Sequence, residues 1–305
     1  MNANAISDFL KITDNRTPLV LFAEISSKCN LTCRFNSQAF CYYYKDSSTD
    51  SFFDLTIEEW IEKLKQIKKE NPSLLLLVLL GGEPLLRKDL VQRIIDEKIF
   101  LWNIVVTNGT FPLDVKGRNF HYVIGMNGTE MHHDKIRTYA NSQKGSYDII
   151  KKNLEKAERK KVILHPIINA MNISCIKDFA EEWKDYSINF GFYVPQKGEE
   201  SDFVLSDEQR NRAVDIILKL KKKYSNIVQA DSDLTVLKNE NRHLAIDSNC
   251  LYKTGAFITF DSGGQRKYPC PSQGDCNRCS GSGIGFSLID MNDAENIRII
   301  SKLLK

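Results

Sequence analysis

Short apolar runs alternate with stretches in which apolar residues recur every three or four positions, and this rhythm organises the chain from residue 19 to about residue 225. Leu19–Ile25 is the first run and reads as a buried strand. Thr56 and Glu59 form a capping-box pair, after which Ile57, Trp60, Ile61, Leu64 and Ile67 fall at helical spacing. Pro72-Ser73 breaks that helix. Leu74–Leu80 is continuously apolar, as a strand of a parallel sheet covered on both faces requires. The same reading predicts a helix over Asp89–Glu97, strands over Ile104–Val106 and Tyr122–Met126, a helix over Tyr147–Lys160 and a strand over Val162–Ile168. A helix over Ile176–Tyr186, a strand over Ile188–Val194 and a helix capped by Ser206 and Gln209, ending near Tyr224, complete the series.

Strands and helices at this rhythm imply a parallel sheet with right-handed crossovers. Six strands precede residue 200, fewer than the eight of a closed barrel, so the α/β fold expected is a partial (β/α)6 barrel. Its site should lie at the carboxyl ends of the strands. The polar signals collect there: a cysteine loop after the first strand, Gly81-Gly82-Glu83-Pro84 after the second, Asn108 after the third and Asn127 after the fourth. Beyond residue 225 the rhythm stops. Gln229–Arg242 is polar and irregular, Ala256–Phe260 and Gln265–Tyr268 read as a hairpin about Asp261–Gly264, and Pro269–Gly285 is rich in Cys, Gly and Ser. The domains expected are an N-terminal segment (1–18), a barrel (19–225) and a small Cys-rich C-terminal extension (226–305).

Composition narrows the function classes. Hydrophobic residues make up 42% and charged residues 27%, and the net charge is +3, which gives no reason to expect a nucleic-acid partner. The basic run Lys219–Lys223 reads as a solvated helix face. The longest apolar run has seven residues, against roughly 20 needed to cross a bilayer. Met1–Asn15 lacks the pattern of a secretory signal, so a cytoplasmic protein is expected, with no membrane partner. In a reducing compartment, clustered cysteines point to metal or catalysis rather than disulfides. Seven of the eight cysteines fall in two groups, Cys29/Cys33/Cys41 and Cys250/Cys270/Cys276/Cys279, and Cys175 stands apart as a core thiol. His132 and His133, beside Glu130 and Asp134, read as a solvated helix start.

Three thiolates from one loop can hold three irons of a cubane cluster and leave the fourth open. Structural zinc is the rival, but it takes four closed ligands and no histidine lies near this loop. Ser27-Lys28-Cys29-Asn30-Leu31-Thr32-Cys33 after a first strand, with Gly81-Gly82-Glu83-Pro84 after a second, resembles the radical S-adenosylmethionine (radical SAM) superfamily over roughly residues 19–195. Members usually place the third cysteine three residues after the second, behind an aromatic. Here that position is Asn36, and the next thiol is Cys41, preceded by Phe40. Either five residues are inserted and Cys41 is the third ligand, or the loop is degenerate; an amide is a much weaker iron donor than a thiolate.

The resemblance implies a 4Fe–4S cluster whose open iron binds S-adenosylmethionine, reductive cleavage to a 5′-deoxyadenosyl radical, and abstraction of a substrate hydrogen. It implies an electron donor of flavodoxin or ferredoxin type. It also implies that Glu83 accepts from the cofactor's amino group, with Gly81 and Gly82 allowing close backbone approach. Asn127 would meet the ribose and Arg137 the carboxylate, where a guanidinium fork suits two oxygens. Arg137 as a surface helix charge and Asn108 as a plain turn residue remain alternatives.

Cys250, Cys270, Cys276 and Cys279 suit either a structural zinc or a second, fully ligated 4Fe–4S cluster. Cys250 followed by Tyr268-Pro269-Cys270 is similar to the start of Twitch and SPASM extensions, a resemblance that favours the cluster. Such enzymes often modify peptides or proteins, whereas about 18 residues before the first strand leave no peptide-recognition domain and favour a small substrate. The competing function is a non-catalytic metal-binding protein with a decayed cluster loop and a structural zinc.

Overall fold

The structure, a computed structural model, describes residues 18–41, 53–244, 246, 250–268 and 274–279. The described residues form two compact units, one of Pro18–Pro166 with 257–268, the other of Ile167–Ala256 with 274–279.

In the first unit the strands are β1 (Val20–Ser26), β2 (Leu31–Phe35), β3 (Gln38–Ala39), β4 (Leu76–Gly81), β5 (Trp102–Thr107), β6 (Phe120–Met126), β7 (Arg137–Tyr139), β8 (Val162–Ile168, whose last two residues belong to the second unit), β9 (Phe257–Phe260) and β10 (Arg266–Lys267). Its helices are α1 (Ile57–Glu70), α2 (Lys88–Glu97), α3 (Glu130–Asp134) and α4 (Tyr147–Lys156). The main sheet runs β8-β6-β5-β4-β1-β9-β10, parallel throughout except for the closing β9–β10 hairpin. This is the mixed α/β architecture expected, and among the described residues the sheet does not close, as a partial barrel requires. The outcome for β9 differs from its place in the expected extension, since it pairs in parallel register with β1, Val20 opposite Phe257. Lys267 of the hairpin reaches the buried Glu24 of β1 at 2.6 Å.

Partners in parallel register project to one face, so Leu21, Leu77 and Asn103 share a face with Phe120. All four are buried. Helix α1 carries the expected Thr56–Glu59 capping box and buries Trp60, Ile61, Leu64 and Ile67, each contributing about 1.5–3 kcal/mol on leaving water. Helix α2 buries Leu90, Val91, Ile94 and Ile95 in the same way. Helix α4 stops at Lys156, short of the expected end, because Ala157 is extended.

A second sheet, β3-β2-β7, is antiparallel and was not expected. These strands have only 2, 5 and 3 residues in that order, too short for a periodic signal, and β2 begins inside the cysteine motif.

In the second unit, Ile167 and Ile168 pair with Gly191 and Phe192. The strand expected over Ile188–Val194 is interrupted because the Gln229 side chain takes both backbone groups of Phe190, accepting from its N–H at 2.7 Å and donating to its carbonyl at 2.6 Å. The helix Asp207–Lys223 keeps its Ser206–Gln209 capping box, whereas the helix expected to reach Tyr186 ends at Glu182. The stretch expected to be irregular holds a short helix, Asp231–Thr235, and buries Leu234, Val236 and Leu237. Cys175 is 3% exposed and its thiol donates to the Asn172 carbonyl, the core role expected. Among the described residues no helix is long and apolar enough to cross a membrane.

Candidate active site

The cysteine loop begins where β1 ends and is clamped by the turn that ends β4. Gly82 N–H donates to Ser26 O and Glu83 N–H to Lys28 O, both at 2.8 Å. Cβ atoms on Gly81 and Gly82 would fall 2.3 Å from Ser26 O and Lys28 O respectively. The two glycines therefore permit the turn to lie directly on the backbone of the cysteine loop. On the other side, Ser27 N–H donates to Asp54 Oδ1 at 2.9 Å.

The residues between Cys33 and Cys41 form a tight hairpin. Phe35 pairs with Gln38 and Arg34 with Ala39, so Asn36-Ser37 is a two-residue turn. Asn36 has φ 51°, the left-handed conformation that such turns require and that asparagine tolerates better than most residues. The hairpin brings the backbone of Cys41 beside Cys33: Phe40 N–H and Cys41 N–H both donate to Cys33 O, at 2.9 and 3.3 Å. Phe40 is buried. From the opposite edge, β7 sets Arg137 against Cys33 in antiparallel register. Burial pushes the Cys29 and Cys33 thiols up to about 11, and the neighbouring cysteines add to the rise by mutual repulsion of their thiolates. The nearby Arg137 charge opposes it. A metal that takes these sulfurs displaces their protons.

Glu83 is 0% exposed. Its carboxylate accepts from Thr107 Oγ1 (2.7 Å), Asn108 N–H (2.7 Å) and Leu85 N–H (2.9 Å), tying the end of β4 to the end of β5. Burial raises its pKa against the pull of those donors and of Arg137. The Asn108 amide donates to Asn30 Oδ1 at 2.9 Å and lies 3.8 Å from Cys29 Sγ, while its oxygen accepts from Thr110 N–H and Oγ1. Asn108 is thus more than a turn residue: it connects β5 to the cysteine loop.

Asn127 is buried at the end of β6, and its Oδ1 accepts from Arg137 Nε at 3.1 Å. Arg137 lies on a strand, not a surface helix, with its guanidinium against Gly125. Between them the expectation for His133 fails. It is 0% exposed rather than solvated, because α3 turns it inward against Tyr147, ring centroids 5.5 Å apart. His132 at its side is only half-buried and bonds Thr129.

The family model described as the Radical SAM superfamily matches residues 23–203, more than half of the chain. The chain belongs to the radical SAM superfamily. Members are enzymes that use a 4Fe–4S cluster and S-adenosylmethionine. Among solved structures the chain is similar to native anSMEcpe with bound AdoMet, at 17% identity and TM-score 0.60, covering 94% of this chain and 84% of that one. It is similar also to native anSMEcpe with bound AdoMet and Cp18Cys peptide, at 15% identity and TM-score 0.60, with the same coverage. At such identities the likeness is one of fold. None of the curated proteins matches the chain in sequence.

The second group of cysteines in this radical SAM chain lies only partly within the described residues, since Cys270 falls outside them. Cys250, Cys276 and Cys279 are half-buried. Cys276 and Cys279 bracket a single 3-10 turn, which Asp275 caps by accepting from Asn277 N–H at 3.0 Å. That segment docks on the Pro195–Glu199 loop through Asp275 N–H to Pro195 O (3.0 Å) and a Gln196–Gly274 bridge. Arg278 completes the docking by donating to Gln196 O and Glu199 O, at 3.1 and 2.8 Å, and to Asp275. Among the described residues no three His, Cys, Asp or Glu side chains converge on one metal-ion position. The polar partners that sequence reasoning missed are Asn30, Thr107, Thr110, His133 and Ser146. Asn30, next to Cys29, was the most legible of them.

Proposed function

We propose that Cys29, Cys33 and Cys41 hold the 4Fe–4S cluster of a radical SAM enzyme, with Asn36 serving as a hairpin turn and not as a lost ligand. The observation that carries this reading is the hairpin itself: it accounts for both the missing cysteine and the five extra residues, and it returns Cys41 to the carbonyl of Cys33. The donor chemistry suits a cluster, being three thiols on the segment that leaves β1, with an amide N–H 3.8 Å from the Cys29 sulfur and the Arg137 charge acting on Cys29 and Cys33. With S-adenosylmethionine bound, such a cluster supplies one-electron cleavage to a 5′-deoxyadenosyl radical that abstracts a substrate hydrogen.

The protein's own residues bind and orient. Arg137 offers its fork to the cofactor carboxylate and Asn127 fixes that fork from one side, in reach of the ribose. Phe40 packs beside the cluster cysteines. Glu83 offers its carboxylate to the cofactor's amino group, held in place at the end of β4 by its bonds from Thr107, Asn108 and Leu85. Asn108 steadies the loop at Cys29.

The substrate in this reading is a peptide or protein side chain, or a small metabolite; the peptide-bound structure of the same fold supports the first. Cys250, Cys270, Cys276 and Cys279 hold an auxiliary 4Fe–4S cluster in a Twitch-like extension. A low-potential flavodoxin or ferredoxin supplies electrons, and a reducing cytoplasm keeps the thiols available. Anaerobic protein should carry about eight irons per chain and release 5′-deoxyadenosine when given S-adenosylmethionine and dithionite. Zinc alone with no 5′-deoxyadenosine would replace this reading with a structural metal protein.

A further inference from the structure

Four residues close a ring of hydrogen bonds beside the cysteine loop. Asn127 N–H donates to His133 Nδ1 at 3.3 Å, His133 Nε2 bonds Ser146 Oγ at 2.9 Å, Ser146 Oγ donates to Arg137 O at 3.0 Å, and Arg137 Nε donates to Asn127 Oδ1 at 3.1 Å. One tautomer satisfies every link. A backbone N–H can only donate, so Nδ1 is the acceptor and the proton sits on Nε2; the Ser146 hydroxyl then passes its own hydrogen to Arg137 O. An imidazolium would set N–H against N–H at Asn127. Burial and the Arg137 charge agree, holding the His133 pKa well below the usual histidine range.

The ring joins two separated segments. Asn127 directly follows β6 and Arg137 begins β7, ten residues later, while Ser146 is fixed independently by donating its N–H to Asp134 Oδ1 at 2.8 Å. These four links favour one geometry, because a different arrangement of the buried groups would break at least one of them. We infer that His133 is a positioning residue that locks Asn127 and Arg137 into one unit, so that the two grip the cofactor together and not as separate contacts. This rests on the reading that Asn127 and Arg137 face S-adenosylmethionine. His133 itself touches neither cofactor nor substrate.

The test is the affinity of anaerobic, cluster-loaded full-length protein for S-adenosylmethionine, measured by equilibrium dialysis without reductant. His133→Leu should weaken binding about tenfold, the equivalent of one good hydrogen bond. His133→Gln, whose amide can accept at one end and donate at the other, should stay within about threefold of wild type. Ser146→Ala breaks the ring at another link and should fall between them, which keeps the test open if His133→Leu folds poorly. Asn127→Ala and Arg137→Met should be non-additive in the wild-type background and additive with His133→Leu, a change that a merely destabilised core does not produce. If Asn127→Ala and Arg137→Met each weaken binding while His133→Leu and Ser146→Ala bind as wild type, the positioning role is overturned and the cofactor reading stands. If the Asn127 and Arg137 variants bind as wild type, the cofactor reading of those residues fails and the inference falls with it.

Discussion

Cys29, Cys33 and Cys41 leave the end of a parallel strand and are gripped by backbone from several directions: the Gly81-Gly82 turn, the β2–β3 hairpin and β7. Cys276 and Cys279 flank one 3-10 turn whose fixing comes from Asp275 and Arg278. Backbone hydrogen bonds from three elements shape the first loop. The second is held by a few side-chain contacts, and in the proposed reading the metal's binding energy adds to its folding energy. A loop fixed by backbone on several sides suits a cluster that must keep one iron open, and a metal-bound turn suits a closed, fully ligated group.

Removing the clamp should have the largest effect. In Gly82→Ala the added Cβ meets Lys28 O at 2.3 Å, and the neighbour is backbone that cannot step aside. The strain expected is about 1–3 kcal/mol. Iron at the first site should be lost while the second keeps its own, which anaerobic iron analysis of Gly82→Ala alone and combined with Cys276→Ala/Cys279→Ala would reveal.

The hairpin comes next. With Asn36 at φ 51°, Asn36→Val should cost about 1–2 kcal/mol and Asn36→Gly almost nothing, read from thermal unfolding. Equal effects of the two substitutions would detach Asn36 from the turn role.

His133 gives the first region a pH dependence near neutrality. Its pKa in the folded protein lies well below 6.5, so below that pH the unfolded chain binds a proton that the folded chain refuses. Stability should therefore fall as pH drops, by about 1.4 kcal/mol per unit from this group, and His133→Leu should flatten that slope in urea unfolding between pH 7.5 and 5.5.

The smallest effect is at the second site. Arg278→Ala removes bonds that a half-exposed side chain makes and should cost about 1 kcal/mol of stability or less. Metal content of the second site should drop selectively, with 5′-deoxyadenosine formation retained.

The parallel strands were legible because burial on both faces writes them as unbroken apolar runs such as Leu74–Leu80, and the capping boxes at Thr56 and Ser206 marked their helices. The antiparallel sheet was not: Leu31–Phe35 is short, and its residues were already accounted for as motif. Pairing of β9 with β1 joins residues more than 200 positions apart, which no local period records. The interruption at Phe190 required knowing that Gln229 would fold back onto it. In the site, Gly81, Gly82, Glu83, Asn108, Asn127 and Arg137 stood out by position at strand ends, yet their partners did not. Glu83 stood out in the turn after β4 while its three protein donors did not, and His133 looked solvated and closes a ring. Sequence position indicated the end of the sheet; only the hydrogen-bond partners indicate the roles.

The central claim is that the hairpin delivers Cys41 as the third cluster ligand. The direct measurement is the electron paramagnetic resonance spectrum of reduced, anaerobic protein with and without S-adenosylmethionine, taken in a Cys276→Ala/Cys279→Ala background that silences the second site. A cubane signal that shifts on adding S-adenosylmethionine, vanishes in Cys41→Ala and survives in Asn36→Ala is the result expected. A signal that persists in Cys41→Ala, or that disappears in Asn36→Ala, would contradict the claim.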